Sequence, residues 1–391
     1  MKNLAAIALI MILLAGLAAC QPQIISTLQP TIPVVTNTPL KSQPTARPTV
    51  TRVPVLNSPN SPPLLSLDMF TASDGWGLVA NQLLLTHDGG VNWFSVPLPE
   101  GQVDENTRTF FLDVNKLYVL ITDTAGQTGK LYYSQNGGGT WRINPVPFLH
   151  GQLLFIEGVG YFLESIPTGS NKMSSTIYNS ADSGQTWNRI LPGSDSAPGN
   201  SIPEDGNKTG FSFINSQTGW LGVAGQSQKV VLYKSIDGAH TWALQDIPVP
   251  QNIQSLVTNT LPPIFFKGNT TAGVLPVDFI SQATGDRNRV FYLTKDSGAP
   301  WSPGDIVIDG GADSFIDPHT GWVWGKHGLY TTTNGAQSWQ LLPVAFGKSE
   351  TAKNIKFINA NNGWLLTTDS KNRLRIYNTN DGGHTWIAIN P

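Results

Sequence analysis

The stretch TNDGGHTW, residues 379–386, decides the fold because related octets occur throughout the chain. The other six copies are THDGGVNW (86–93), SQNGGGTW (134–141), SADSGQTW (180–187), SIDGAHTW (235–242), TKDSGAPW (294–301) and TTNGAQSW (332–339). Successive copies begin 48, 46, 55, 59, 38 and 47 residues apart. A repeat of this length is typical of one four-stranded propeller blade. An enzyme rarely needs several copies of one active site, so the repetition favours a structural element.

The octet has the composition of a tight turn. Its third residue is Asp or Asn, a short acceptor that bonds backbone N–H groups, and Gly occupies the fourth or fifth position, where we expect a positive φ. The final Trp lies on the next strand and packs between neighbouring sheets. We predict that each octet joins the third and fourth strands of a blade. The structural residues are Asp88, Trp93, Asn136, Trp141, Asp182, Trp187, Asp237, Trp242, Asp296, Trp301, Asn334, Trp339, Asp381 and Trp386.

A second motif keeps step with the octets. Gly-Trp pairs end at Trp76, Trp220, Trp322 and Trp364, and the last three follow the strand-like segments FSFIN, SFID and IKFIN. Of the twelve Trp in the chain, seven close the octets and four lie in Gly-Trp pairs, which leaves Trp324 alone. Tryptophan is therefore a repeat residue in this sequence.

These motifs resemble the Asp box, or BNR repeat, of sialidases, sortilin-type receptors and xyloglucanases. The pairing of F-x-D/N…GW with T-x-D-G-G-x-T-W is most similar to the photosystem II assembly and stability factor family. The resemblance covers residues 64–391 and implies an all-β fold, a single seven-bladed β-propeller with four-stranded blades. We place the blades at 64–99, 104–147, 151–193, 209–249, 262–308, 311–346 and 353–391, with a surface connection at 192–210 and an optional extra strand at 53–56. Asp boxes lie on the rim of such propellers, away from their functional sites.

The N-terminal segment is predicted to lie outside the propeller. Lys2 precedes an uninterrupted apolar run, Leu4–Ala19, and residues 17–20, LAAC, resemble the lipobox of bacterial lipoproteins. We predict a signal peptide at 1–19 and lipid attachment at Cys20, the one cysteine of the chain. The alternative is an uncleaved anchor helix. Residues 20–63 are the lipidated cysteine and a Pro/Thr-rich tether, whose composition favours disorder. Both alternatives predict an extracytoplasmic protein anchored to the cell membrane or outer membrane of a bacterium.

Charge and ligand patterns exclude several classes of function. Residues 64–391 carry 20 basic and 26 acidic side chains, and a formal charge of −6 argues against a nucleic-acid partner. The six histidines show no metal-ligand spacing, and each octet offers a single acidic side chain at most to a calcium ion. We therefore expect no metal and no cofactor.

The resemblance to sialidases makes a glycosidase the main enzymatic alternative. That family's arginine triad, Tyr/Glu nucleophile pair and Phe/Tyr-Arg-Ile-Pro motif find no counterpart; WRINP (141–145) is a near miss. A xyloglucanase needs two propellers. Paired acids stay open at Asp113, Glu157 and Asp317, whose other interpretation is turn-capping carboxylates. The photosystem family's arginine patch has its nearest counterparts in Arg287 and Arg289 and in Arg373 and Arg375.

The sequence favours a membrane-tethered propeller that is not an enzyme and that binds, or helps to assemble, an unknown membrane or surface protein. The alternative function is a glycan-binding or glycoside-hydrolase surface protein of sialidase type. The repeats support the scaffold because fold resemblance alone is weak evidence for chemistry.

Lipid attachment at Cys20 predicts that removing this thiol releases the protein from the membrane. Two or more acyl chains, at ~0.8 kcal/mol per buried CH₂, hold a protein stably on a bilayer. We expect a Cys20→Ala form without residues 1–19 to be found in the soluble fraction after cell fractionation. Retention of this form in the membrane fraction would contradict the lipid anchor.

Overall fold

A computed structural model describes residues 64–104, 106–122, 128–191, 202–225, 228–251, 253, 257–344, 346, 350–371 and 373–389. The regular structure of these residues consists of 29 β-strands, so the all-β class predicted from the sequence is confirmed. No helix within these ranges is long and apolar enough to cross a membrane. The predicted signal peptide, Cys20, the tether and the optional strand at 53–56 lie outside the described residues.

Antiparallel four-stranded sheets follow one another along the chain, and we number the strand groups from 1. Group 1 contains β1 (Ser66–Met69), β2 (Gly75–Val79), β3 (Gln82–Thr86) and β4 (Phe94–Val96). Group 2 contains β5 (Arg108–Phe111), β6 (Leu117–Thr122), β7 (Gly129–Ser134) and β8 (Arg142–Val146). Group 3 contains β9 (Gly151–Ile156), β10 (Val159–Gly169), β11 (Lys172–Ser180) and β12 (Asn188–Leu191).

The next two groups share one nine-stranded sheet. Group 4 contains β13 (Asn207–Phe213), β14 (Gly219–Gly225), β15 (Val231–Ser235) and β16 (Ala243–Leu244). Group 5 contains β17 (Val257–Thr260), β18 (Ile264–Phe266), β19 (Asn269–Ile280), β20 (Arg287–Thr294) and β21 (Ser302–Ile308). The two groups are joined because Ala224 and Gly225 of β14 pair with Asn259 and Thr258 of β17.

The last two groups return to the four-stranded pattern. Group 6 contains β22 (Asp313–Phe315), β23 (Gly321–Gly325), β24 (Gly328–Thr332) and β25 (Gln340–Leu341). Group 7 contains β26 (Thr351–Phe357), β27 (Gly363–Thr368), β28 (Leu374–Thr379) and β29 (Ile387–Ala388).

Two of the boundaries expected from the sequence are corrected. Group 5 begins at Val257, ahead of the expected 262. Its first strand lies on both sides of Pro262 and Pro263, which divide it into β17 and β18. Proline has no N–H to donate, so the ladder with β19 is interrupted there. Group 4 begins at Asn207, inside the connection expected at 192–210, of which residues 192–201 are outside the described residues.

The core of the described chain consists of hydrophobic clusters between consecutive groups. Leu83 of β3 and Val119 of β6 belong to the cluster between groups 1 and 2. Equivalent clusters follow between each later pair of groups. A further cluster contains Met69 of β1 together with Trp364 and Leu366 of β27, so group 7 packs on group 1. The indole Nε1 of Trp364 donates to the Gly89 carbonyl at 2.8 Å across this seam.

An aromatic stack recurs between the groups and explains the Gly-Trp motif. Phe357 of β26 lies opposite Gly363 of β27, and a Cβ on Gly363 would meet the Phe357 ring at 2.5 Å. The other face of the Phe357 ring stacks on Trp322 of group 6, with ring centroids 3.6 Å apart. Glycine thus leaves room for the ring of its own group, and tryptophan supports the ring of the next group.

The same stack is present in other groups with modified residues. Phe213 covers Gly219 and stacks on Tyr161 at 4.2 Å. In group 2 the residue opposite Phe111 is Leu117 instead of glycine, and the centroids of Phe111 and Trp76 are 5.5 Å apart. The distance between stacked ring centroids is largest where the glycine is missing. This agrees with the role of the glycine, which leaves room for the phenylalanine ring.

Substitution of Gly363 by Ala is expected to destabilise the protein. The added methyl group meets a ring held on its other face by Trp322, and overpacking of this kind costs about 1–3 kcal/mol. The matched control is Gly169→Ala, because no atom lies within 4 Å of a Cβ at Gly169. Urea unfolding should show a lower midpoint for Gly363→Ala alone, and equal midpoints for the two variants would contradict the stack.

Candidate functional site

The octets are hydrogen-bonded turns between third and fourth strands. In the last octet, between β28 and β29, the Thr379 hydroxyl donates to Asp381 Oδ1 at 2.8 Å and accepts the N–H of Gly383 at 3.0 Å. Asp381 Oδ1 also accepts the N–H of Thr385 at 2.9 Å, and Oδ2 accepts the Thr385 hydroxyl at 2.6 Å. The bond from the first residue to the third measures 2.8–3.0 Å in all seven octets. The polar atoms of the turn therefore bond to one another.

Backbone geometry explains the glycines of the octets. The fourth and fifth residues of every octet have a positive φ, between 57° and 94°. Glycine adopts this region without a steric cost. Ser183, Ala239, Ser297 and Ala336 are the residues of the octets that adopt it with a side chain. The positive φ expected at the glycine of each octet is present, and it extends to both positions.

The tryptophans of the two motifs pack on opposite sides of their group. The octet residue Trp386 contacts the cluster between groups 6 and 7, whereas Trp364 of the same group belongs to the cluster between groups 7 and 1. Trp242 and Trp220 of group 4 divide in the same way between the clusters on its two sides.

The acidic residues considered for catalysis hold turns. Asp113 Oδ1 accepts the N–H groups of Asn115 and Lys116, both at 2.8 Å. Asp317 makes the equivalent bonds between the first two strands of group 6, where the same position of group 7 is Asn359. Because asparagine replaces aspartate there, the turn needs an oxygen acceptor and no charge.

Glu157 lies in the first turn of group 3. Its φ is 51°, and its Oε2 accepts the N–H of Ser216 from group 4 at 3.1 Å. Asp113, Glu157 and Asp317 thus occupy equivalent turns of three different groups. In the described part of the chain no three His, Cys, Asp or Glu side chains are placed to hold a metal ion.

Two of the arginines named as nearest counterparts of the photosystem family's patch, Arg289 and Arg373, pair with carboxylates. Arg289 is 5% exposed and its guanidinium bonds Asp278 at 2.6 and 3.0 Å and Asp313 at 2.7 Å. Burial raises the pKa of Asp313 to about 6, against the opposing effect of Arg289. Arg373 pairs with Asp369 at 2.7 Å. These cations are already engaged by carboxylates of their own or the next group.

A tyrosine–glutamate pair was missed by the sequence analysis. Glu350, with a side chain only 3% exposed, accepts the hydroxyl protons of Tyr377 and Thr367, each at 3.0 Å, and Arg375 Nη1 lies 3.6 Å away. Burial raises the pKa of Tyr377, so the phenol stays protonated at neutral pH. No motif marks this pair, since its members come from a connection and from β28.

A groove of about 490 Å³ lies between groups 4 and 5, beside their octets. Its walls include Ile236, 71% exposed, and Pro300, and its floor includes Trp301, Gln245 and Lys234. Another cavity, of about 400 Å³, lies between groups 1 and 2, where Lys130 pairs with Glu100 at 2.9 Å. The groove between groups 4 and 5 is the larger of these two candidates for ligand binding.

The repeat departs from its own bonding pattern in this groove. In two of the four Gly-Trp pairs the indole donates to the next octet: Trp322 Nε1 to the Gly382 carbonyl at 2.9 Å and Trp364 Nε1 to the Gly89 carbonyl at 2.8 Å. In the groove, Lys234 Nζ donates to the corresponding Ser297 carbonyl at 2.8 Å, and Trp220 Nε1 donates to Gln245 Oε1 at 3.0 Å. Gln245 Nε2 in turn donates to the Gly298 carbonyl at 2.7 Å. A lysine has taken the place of the indole.

Octet 294–301 is also atypical in its seventh residue. Pro300 stands where the other six octets have Asn, Ser or Thr, and proline has no backbone N–H for the third residue. This is the sequence signal that would have indicated the groove. Departures from a local rule concentrate at functional sites.

The groove also borders an open strand edge. Lys234 pairs with Ala243 and Tyr233 with Leu244, and the N–H of Gln245 donates to the Leu232 carbonyl at 2.8 Å. In an antiparallel ladder alternate residues face the partner, so the N–H and C=O of Leu244 are directed away from β15. β16 is the outermost strand of its sheet, and its edge is available for pairing.

Comparison with known proteins identifies the fold. No family model matches the chain, and no curated protein matches it. The structure of YCF48 bound to D1 peptide aligns over 83% of this chain and 95% of that chain, at 17% identity and a TM-score of 0.54. A polysaccharide lyase of family PL25, an ulvan lyase, aligns over 86% of this chain and 95% of its own at 12% identity and a TM-score of 0.49. The GH93 α-L-arabinofuranosidase of Fusarium graminearum aligns over 73% and 92%, at 12% and 0.42.

The likeness to YCF48 extends to the fold and no further at this identity. It is consistent with a β-propeller, the class that the closing order of sheets also favours. The two carbohydrate-active enzymes superpose less well and carry no argument about activity.

The octet carboxylates predict a loss of stability in acid. Hydrogen bonding by the Thr385 hydroxyl, together with its N–H, lowers the pKa of Asp381 to about 2. An aspartate in an unfolded chain has a pKa of about 3.9, so this contribution is complete above that pH and is lost as the pH falls through about 2. Asp381→Asn keeps an Oδ1 acceptor, as in the octet of Asn334. The urea midpoint of Asp381→Asn should be lower than that of the parent at pH 7. The difference should shrink towards pH 2, because the parent then loses the contribution of its carboxylate.

The reverse exchange is the matched control. Asn334→Asp adds a carboxylate to a turn that has an amide, and it should make the urea midpoint more sensitive to acid over the same range. A pH-independent difference for both variants would show that the octet carboxylates do not titrate with folding.

Proposed function

We propose that residues 64–391 form a seven-bladed β-propeller of Asp-box repeats that binds an extended segment of a protein partner and has no catalytic activity. The seven strand groups, each with an octet between its last two strands, correspond to the blades. Cys20 carries the lipid anchor and residues 21–63 are the tether, which places the propeller outside the cytoplasm near a membrane or surface protein. A scaffold of this kind positions loops and grooves on a rigid frame.

The observation that carries the proposal is the combination of features in the groove between groups 4 and 5. An apolar wall with Ile236 and Pro300 lies beside the outward N–H and C=O of Leu244. An extended polypeptide satisfies both at once, because its main chain pairs with a strand edge while its alternate side chains enter the groove. Main-chain pairing supplies affinity, and the groove supplies specificity.

YCF48 gives independent support of a limited kind. It shares the fold, and it was observed with a bound peptide, D1. A protein of this architecture can therefore hold a peptide. The proposal for this chain includes an assembly role like that of the photosystem II factors, but it does not include their partner.

The second candidate is a glycan-active surface protein, and the pair of Glu350 and Tyr377 favours it. A buried carboxylate at 3.0 Å from a phenol is a base in contact with a nucleophile. The raised pKa of Tyr377 opposes this role, because a nucleophilic phenol needs its proton removed. Asp113 and Asp317 add no acid, since their carboxylates cap turns, and the Glu157 carboxylate accepts the N–H of Ser216 from the next group. The groove therefore ranks first.

A display selection distinguishes the two functions. Random nonapeptides are selected on the full chain and counter-selected on Ala243→Arg, in which an exposed alanine of the groove becomes bulky and charged. We expect peptides whose affinity falls at least about tenfold on Ala243→Arg and is unchanged on Glu350→Gln. Melting temperatures control for folding.

The same proteins are assayed for turnover of sialosides and xyloglucan. The parent is expected to hydrolyse neither substrate. Turnover that disappears in Glu350→Gln or Tyr377→Phe, with no peptide that depends on the groove, would reverse the ranking.

A further inference from the structure

The ammonium group of Lys234 is the one cation that lines the groove between groups 4 and 5 within the described residues. Lys234 is partly buried, its Nζ lies 5.2 Å from the ring centroid of Trp220, and it donates to the Ser297 carbonyl at 2.8 Å. An ammonium has three N–H groups. The bond to Ser297 uses one of them, and the indole ring contributes a weaker attraction.

Lys234 has no carboxylate within 4.0 Å among the described residues. Burial lowers the pKa of Lys234, as expected for a cation that is partly removed from water without a close counter-ion. A charge in this position is costly unless it is paired. The groove thus contains a cation that lacks its partner.

The acids around the groove form no ion pair with Lys234 within 4.0 Å, although the charge of Asp296 partly offsets the effect of burial on the pKa of Lys234. Asp237 accepts the N–H and the hydroxyl of Thr241, at 2.9 and 2.6 Å. Asp296 accepts the Thr294 hydroxyl at 2.9 Å and the N–H of Ala299 at 3.1 Å. Asp246 lines the groove as an exposed residue. Its charge disfavours a strongly acidic ligand, so a ligand with a single carboxylate fits best.

We propose that the partner segment carries one carboxylate, which pairs with Lys234 Nζ, next to an apolar side chain that packs beside Ile236 and Pro300. This inference rests on the proposed function, because it assigns chemistry to the segment bound in the groove. The main chain of the segment pairs with Leu244 at the edge of β16. The carboxylate belongs to an Asp or Glu side chain or to the end of the chain, and the test separates these sources.

The test uses the peptides selected in the groove. Each peptide is synthesised with its carboxylates and with one carboxylate at a time replaced by the amide: Asn for Asp, Gln for Glu, or a C-terminal amide. Affinities are measured on the full-length parent, on Lys234→Met, which keeps the length of the side chain, and on Lys130→Met as a control. Lys130 pairs with Glu100 in the other cavity.

In each peptide we expect one carboxylate whose replacement by the amide weakens binding to the parent about tenfold. The unmodified peptide should also bind about tenfold more weakly to Lys234→Met than to the parent. The amide form should bind equally to the parent and to Lys234→Met, and Lys130→Met should leave all affinities unchanged. Equal affinities of the acid and amide forms would overturn the inference while the proposed function stands. A failure to obtain any peptide that Ala243→Arg weakens would overturn both.

Discussion

A phenylalanine ring held between a glycine of its own sheet and an aromatic ring of the preceding sheet is the contact on which the architecture depends. It fixes the distance between consecutive groups, because the ring is stacked on one face and the glycine admits it on the other. Phe357 shows the arrangement in its tightest form, against Trp322 and Gly363. Contacts of this kind, or variants in which Leu117 replaces the glycine or Met69 replaces the phenylalanine, lie between consecutive groups, so no group has a complete core of its own. Each group packs on the next from the first to the last, and the bond from Trp364 to Gly89 joins group 7 to group 1.

The octets serve the same architecture at the turn before the last strand of each group. In the sequence, their hydroxyl, carboxylate and amide side chains resemble the residues of a catalytic site. In the structure these groups are hydrogen-bonded within the turn. Asn136 and Asn334 replace the carboxylate in two copies and make the corresponding bonds. A turn that works with an amide does not depend on acid–base chemistry. Function is therefore better sought where the repeat changes its bonding pattern, as it does at Lys234 and Gln245 between groups 4 and 5.

Repetition made much of the fold predictable, and its interruptions account for what was missed. The recurring octets predicted turns between third and fourth strands because hairpin chemistry is local. The division of the first strand of group 5 was missed because the proline pair at 262–263 looks like a loop, while the pairing of Asn259 with Ala224 of β14 is a contact between groups. The Glu350–Tyr377 pair and the groove were missed for the same reason, since each joins residues that are far apart in sequence. Pro300, the seventh residue of the octet 294–301, was a local signal of the groove.

The central claim is that the groups form one closed, mutually dependent array, and native-state hydrogen exchange against denaturant tests it most directly. The informative amides are those bonded to the first hydroxyl of each octet, such as Gly90 in group 1, Ala239 in group 4 and Gly383 in group 7. Closure between groups 7 and 1 predicts that all three exchange only through global unfolding, with the same free energy. Exchange of Gly90 and Gly383 at a much lower free energy than Ala239 would show that the first and last groups open separately, and would contradict the account.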